Sequence, residues 1–160
     1  MGGFGSLAYA YDAFGQRFAS TVNGTRTTFA YDPRGRLLIA QTAGAPARDF
    51  VYLNGRLLAR IDGNTVYYYH LNALGAVVAM TDSSKNIVWQ AHYTPFGRAL
   101  VIVNTITNHL RLPGQYEDSE TGLYYNYFRD VTDRLNGATH DRLNGATLAC
   151  PLGGSNGGYD

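Results

Sequence analysis

Apolar and polar side chains alternate with a period of two through most of the first hundred residues. Thr27, Phe29 and Tyr31 fall on one side of such a segment, with Arg26, Thr28 and Ala30 on the other. Ile87, Trp89, Ala91 and Tyr93 stand together opposite Val88, Gln90 and His92. A period of two is the mark of a half-buried strand, and no stripe at the helical period competes with it. Turn signals interrupt the alternation about every ten residues. Asp32-Pro33-Arg34-Gly35 has the order of a type I turn, with Asp first, Pro second and Gly fourth. The Asp carboxylate can accept a backbone N–H two residues on, and Gly can take the left-handed conformation that restarts the strand through a bulge. Asn23-Gly24, Asp62-Gly63 and 81–86 read as further turns. The pattern predicts an all-β chain of short hairpins.

The hairpins repeat. Tyr11-Asp12-Ala13-Phe14-Gly15 is answered by Tyr31-Asp32-Pro33-Arg34-Gly35, and Tyr93-Thr94-Pro95-Phe96-Gly97 is a third copy. Degenerate copies start at Tyr52, Tyr69 and Tyr116, so the marker tyrosines are spaced by 20, 21, 17, 24 and 23 residues. A fixed period of this length signals stacked supersecondary units. The tyrosines are expected at equivalent places in successive hairpins, as an aromatic ladder along a curved sheet.

Composition narrows the function classes. Charged residues are 16% of the 160 and the formal net charge is +1, so no basic stripe exists to hold nucleic acid. Thirteen tyrosines and 19 glycines suit strands and tight turns. No apolar run reaches the roughly 18 residues of a membrane helix, and 1–11 has neither a basic region nor an apolar core, so no signal peptide is read there. The single cysteine, Cys150, cannot form an intramolecular disulfide.

Candidate chemistry is thin. Gly153-Gly154-Ser155-Asn156-Gly157 fits a nucleophile pattern that needs a strand before it and a helix after it, and its glycine-rich surroundings offer neither. Cys150 with His140 has no orienting third group. His70, His92 and His109 lack metal-ligand spacing, and His70 and His92 read as sheet residues. Glu117, Asp118 and Glu120 could offer oxygens to Ca²⁺ but read better as a solvated turn. Asp12 and Asp32 are accounted for by their turns rather than by acid–base work. The start, Met1 to Ser6, fits a myristoylation pattern with no polybasic partner, and Asn23-Gly24-Thr25 fits a glycosylation acceptor but is better explained as a hairpin turn. Neither a catalytic residue, a cofactor nor a metal is expected.

Tyr-Asp-x-x-Gly-Arg at about 20-residue spacing resembles the YD repeats of the Rhs (rearrangement-hotspot) family and of the related teneurins. The stretch Leu112-Pro113-Gly114-Gln115-Tyr116-Glu117-Asp118, continuing through Gly122, Tyr124 and Tyr125 to Asp130, resembles the core that closes the repeat region of Rhs proteins. The resemblance implies a β-spiral forming a hollow shell around a variable C-terminal toxin, in bacterial competition. It also implies a secreted or cell-surface location and the rest of the shell as partner. Members of the family release the toxin by self-proteolysis at an Asp-Pro-x-Gly-Leu signature, which this sequence lacks after Asp130. Instead, Asp133 to Thr139 is repeated as Asp141 to Thr147.

The organisation expected is therefore a lead-in over 1–8, YD repeats over 9–111, the core motif over 112–130, and a divergent, disordered tail over 131–160, read as an altered end without a toxin. Repeat geometry falls to Tyr11, Asp12, Gly15, Tyr31, Asp32, Gly35, Tyr93 and Gly97. The core signature falls to Pro113, Gly114, Tyr116, Gly122, Tyr124 and Tyr125. Structural encapsulation is the function expected. The alternative is an adhesion module holding cell-surface carbohydrate through Tyr67, Tyr68, Tyr69 and Trp89.

Overall fold

The computed structural model describes residues 6–95, 97–126, 129–132 and 139–141, and all of their regular structure is strand. Ten strands form an antiparallel meander whose spatial order is the chain order. They are β1 (Leu7–Tyr11), β2 (Arg17–Val22), β3 (Thr25–Tyr31), β4 (Leu37–Thr42), β5 (Arg48–Leu53), β6 (Arg56–Asp62), β7 (Thr65–Leu71), β8 (Val77–Thr81), β9 (Ile87–Tyr93) and β10 (Ala99–Asn104). A second sheet, again in chain order, holds β11 (Gln115–Asp118), β12 (Leu123–Asn126), β13 (Arg129–Thr132) and β14 (Thr139–Asp141).

Two loop types recur in the meander. One is the two-residue hairpin: Asn23-Gly24 and Asn54-Gly55 both take positive φ at both positions (50° and 81° in each pair). That is the type I′ geometry whose twist matches the flanking strands. The degenerate copy expected at Tyr52 is thus a different turn. Asn-Gly supplies its own left-handed pair, so no Asp-x-x-Gly loop forms there. The other type is a five-residue loop, closed by N–H···O=C bonds from Asp12 to Gln16, Asp32 to Arg36, Asn72 to Ala76, Asp82 to Asn86 and Thr94 to Arg98, all 2.9–3.0 Å.

The loop at 72 corrects the sequence reading. The fourth repeat is marked by Asn72 and Gly75, so Leu71, not Tyr69, occupies the marker-tyrosine position. The series then runs 11, 31, 52, 71, 93, a more even spacing than the tyrosines alone suggest. Asp82 builds the same loop as Asp32, with Lys85 at φ 69° where the others place Gly. The hairpin register shifts at the marker residue in the first four, at Tyr11, Tyr31, Tyr52 and Leu71, whereas the β9–β10 shift lies between Val101 and Val103.

One face of the large sheet is covered. Register rows run across it, Phe29 opposite Ala40, then Tyr69 opposite Met80 opposite Trp89, and all five are buried. Tyr11, Tyr31, Tyr52 and Leu71 pack against this core as a ladder. Phe18, Leu38, Val51, Leu58 and Tyr68 remain exposed. The connection after β10 folds back over the covered face, where Val77 N–H donates to the Arg111 carbonyl (3.1 Å), and delivers the second sheet. The Phe29 and Tyr116 rings pack in a T shape with centroids 5.2 Å apart. The meander therefore ends at Asn104 and the 105–111 stretch is a crossover, not a repeat. Of the expected tail, residues 131–132 and Thr139–Asp141 pair as strand, because each continues the ladder that β12 begins. The rest of the tail, with Cys150 and Ser155, lies outside the described residues, as does the 1–5 part of the start.

Candidate functional site

The repeat loops work by self-satisfaction of the backbone. Asp32 Oδ1 accepts the N–H groups of Arg34 and Arg36 at 2.9 Å each, and Asp12, Asn72 and Asp82 do the same for their own loops. A carboxylate held by two or three N–H donors favours ionisation. The Arg36 backbone bond leads the downward shift of the Asp32 carboxyl, and the Asn86 side-chain bond leads that of Asp82. Gly15, Gly35 and Gly97 sit at φ 80°, 78° and 85°, and Thr94 serves the third copy through its hydroxyl, which accepts from Arg98 N–H. The tyrosines reach backwards. Tyr52 Oη donates to the Leu37 carbonyl (3.0 Å) and Tyr93 Oη to the Val77 carbonyl (2.8 Å). Each hydroxyl fastens its hairpin to the one before. This matters most between β4 and β5, where only two residue pairs are in register.

The centre of the molecule is a residue that the sequence reading passed over as one more repeat arginine. Arg17 is fully buried, and its Nη1 lies 2.6 Å from Asp118 Oδ2. Its guanidinium carbon is 4.4 Å from the Tyr125 ring centroid, 5.0 Å from Tyr9 and from Phe29, and 5.4 Å from Tyr116. Its Nε and Nη2 make no hydrogen bond, so ring faces take the place of acceptors on those sides. Its backbone N–H donates to Tyr125 Oη at 2.9 Å. Burial is the largest influence and opposes the charge, yet the charge and hydrogen bond of Asp118, joined by Tyr31 and Tyr9, together move the Arg17 pKa upward. Burial also pushes the Tyr116 phenol up to about 12. The one available signal was position: Arg17 precedes Phe18 at the first, inward-facing place of its strand, where β4 has Leu37.

The pattern recurs. Arg60 lies over Tyr67 (5.2 Å), pairs with Asp62 (2.8 Å) and donates to the Thr107 carbonyl (2.7 Å). Arg111 lies over Trp89 (5.2 Å) and pairs with Glu117. The three acids of the core motif therefore diverge: Asp118 to Arg17, Glu117 to Arg111 and Glu120 to the Tyr9 hydroxyl at 3.2 Å. This corrects the solvated turn expected there, since Asp118 is 3% exposed and its charge is neutralised by a cation on another sheet. Gly122 closes that turn at φ 67°, Pro113 and Gly114 make the corner before β11, and Tyr124 and Tyr125 are buried. Among the described residues no group of His, Cys, Asp and Glu gathers as a metal site. The carbohydrate platform does not form. Tyr69 and Trp89 are core residues, Tyr67 lies under Arg60 and only Tyr68 faces outward, because alternation sends Tyr68 to the opposite face from Tyr67 and Tyr69.

His109 stacks on Tyr116 (4.8 Å, 10°), and its Nδ1 lies 3.0 Å from the Glu117 carbonyl. Burial, then the positive field of Arg48, brings its pKa down to about 4 from 6.5. Between those values the unfolded chain binds the proton and the folded chain does not, so stability falls as pH drops through this window. The cost below the window is expected to be on the order of 2 kcal/mol, after an allowance for partial exposure. Urea midpoints at pH 7 and pH 4.5 measure the loss, and His109→Gln should remove most of the difference.

Known proteins resemble this chain. Residues 66–102 match the family model described as RHS protein. The tRNA3(Ser)-specific nuclease WapA of Bacillus spizizenii is 32% identical over 123 residues, 73% of this chain and 5% of the relative. The double-stranded DNA deaminase toxin A of Burkholderia cenocepacia is 32% identical over 69 residues, 40% of this chain and 5% of the relative. This chain thus spans about a twentieth of those relatives. Among solved structures, TcdB2-TccC3-TEV superposes with a TM-score of 0.59 at 20% identity, over 78% of this chain and 7% of that one. The Tc holotoxin pore of Photorhabdus luminescens gives 0.53 at 19%, over 76% and 7%. These structural likenesses establish a shared fold.

Proposed function

The chain is of the Rhs type, and from that premise we propose that it serves as a non-catalytic wall section of a hollow β-shell enclosing a C-terminal toxin. The observation that carries this reading is the meander itself. Ten strands in strict chain order make a sheet that grows by adding hairpins, and among the described residues β1 and β10 each pair on one side only. A sheet of this kind extends into a wall when further repeats pair with its two edges. The toxin would be the effector of a relative such as a tRNA nuclease or a DNA deaminase, and the whole assembly would be secreted or surface-borne. The engagement of the core-motif acids with Arg17, Arg111 and Tyr9 supports the non-catalytic part of this reading.

Open edges associate. The isolated chain is expected to form oligomers at tens of micromolar by light scattering, and Val101→Lys on the edge strand β10 should weaken them. Its intact mass should stay constant over days between pH 4 and pH 8. A clean monomer would overturn the wall reading, and a discrete cut suppressed by Asp118→Asn would overturn the non-catalytic one.

A further inference from the structure

The loops that join β3 to β4, β5 to β6 and β7 to β8 line one cleft with the 110–116 corner. Its volume is about 570 Å³, within the range of about 300–1,000 Å³ usual for ligand pockets. Aliphatic side chains such as Leu37, Leu57 and Leu71 form part of its lining. Four arginines line it as well, Arg34, Arg36, Arg56 and Arg111, and no carboxylate does.

Two of the four are committed. Arg36 Nε donates to Asp32 Oδ2 at 2.6 Å and Arg111 pairs with Glu117. Arg34 and Arg56 are exposed and make no ion pair among the described residues. Two buried polar atoms of lining residues, Gln115 Oε1 and Arg111 Nε, lack any hydrogen-bond partner. Buried polar groups rarely go unpaired in a finished structure.

We infer that this cleft binds an extended acidic peptide segment, with an aliphatic side chain seated against the leucines and carboxylates on Arg34 and Arg56. A peptide supplies what the cleft lacks: acid groups for the two unpaired guanidiniums beside the aliphatic lining. Nucleic acid fits less well. The net charge of +1 gives no long-range positive field, and the Tyr52 ring face that could stack a base is already covered by Arg36 at 5.1 Å. The inference stands apart from the shell reading, because it uses only groups that this chain presents.

Surface plasmon resonance on the full chain, immobilised at low density to keep copies apart, tests it. The probe is the peptide Glu-Leu-Glu-Leu-Glu, with Gln-Leu-Gln-Leu-Gln and an oligothymidylate as comparisons. The acidic peptide should bind saturably and weaken as salt rises from about 50 to about 500 mM. The double variant R34Q/R56Q should bind about tenfold more weakly, while R26Q, at an exposed arginine that does not line the cleft, should match the parent. Both loop arginines are exposed and unpaired, so circular dichroism should show the double variant folded. Equal binding of the glutamine peptide, unchanged binding by R34Q/R56Q, no saturable binding, or tighter arginine-dependent binding of the oligothymidylate would each overturn the inference.

Discussion

Arg17→Met should cost about 3–5 kcal/mol, a large part of the stability of a chain this size. Methionine keeps most of the aliphatic stem, so the loss reports the charge. Without the guanidinium, Asp118 is left 3% exposed with its cation gone, and four aromatic rings lose the cation they enclose. The effect should be non-local. Arg17 stands on the large sheet and Asp118 on the small one, so the pair fastens one to the other. Trp89 is 1% exposed on the covered face, so loosening of the second sheet should shift its fluorescence to the red before the main transition. The double variant R17M/D118L supplies the control. Replacing a whole buried pair with apolar residues is often neutral or stabilising, so it should recover much of what R17M loses. A single variant with the parent's thermal midpoint would show that the pair does not hold the sheets together.

What was legible in the sequence follows from how local each interaction is. The loops were legible because Asp, the backbone it binds and the glycine that turns all lie within five residues, as at Asp32 and Asp12. Where the marker was misjudged, the error came from trusting the aromatic over the turn. Tyr69 is conspicuous, but Asn72 and Gly75 fix the register, and Leu71 fills the tyrosine's place with a side chain that packs without a hydroxyl. The turn at 81–86 was legible, but its kinship to the Asp32 loop was not, because a lysine at φ 69° carries no glycine signal. The central site was not legible for the opposite reason. Arg17 and Asp118 are 101 residues apart, and an arginine one place after a YD turn looks like any other. Its place on the strand hints that it points inward, but the stacking of two sheets supplies the partners, Asp118 and four rings, that explain how a buried cation is tolerated there.

Gly75→Ala should separate the strain of a turn from the docking of the core motif on the repeats. Gly75 has φ 80°, and a Cβ placed there would lie 2.8 Å from Pro113 Cγ and 3.5 Å from its Cδ. Gly24 has nearly the same φ, 81°, in another hairpin, and a Cβ there would meet nothing within 4 Å. Gly24→Ala therefore measures left-handed strain alone, about 1 kcal/mol. Gly75→Ala adds overpacking against a rigid ring, which raises the expected loss to about 2–4 kcal/mol. The proline cannot swing aside like a flexible side chain, because its ring is part of the corner before β11. Relief must come by lifting that corner, which also pulls on the Val77 N–H bond to the Arg111 carbonyl. Urea unfolding of the two variants beside the parent gives the comparison. Pro113→Ala in the Gly75→Ala background should return the loss toward that of Gly24→Ala, since it removes the Cγ and Cδ atoms the new methyl would strike. Equal losses for Gly24→Ala and Gly75→Ala would mean that the corner rides freely over the β7–β8 loop.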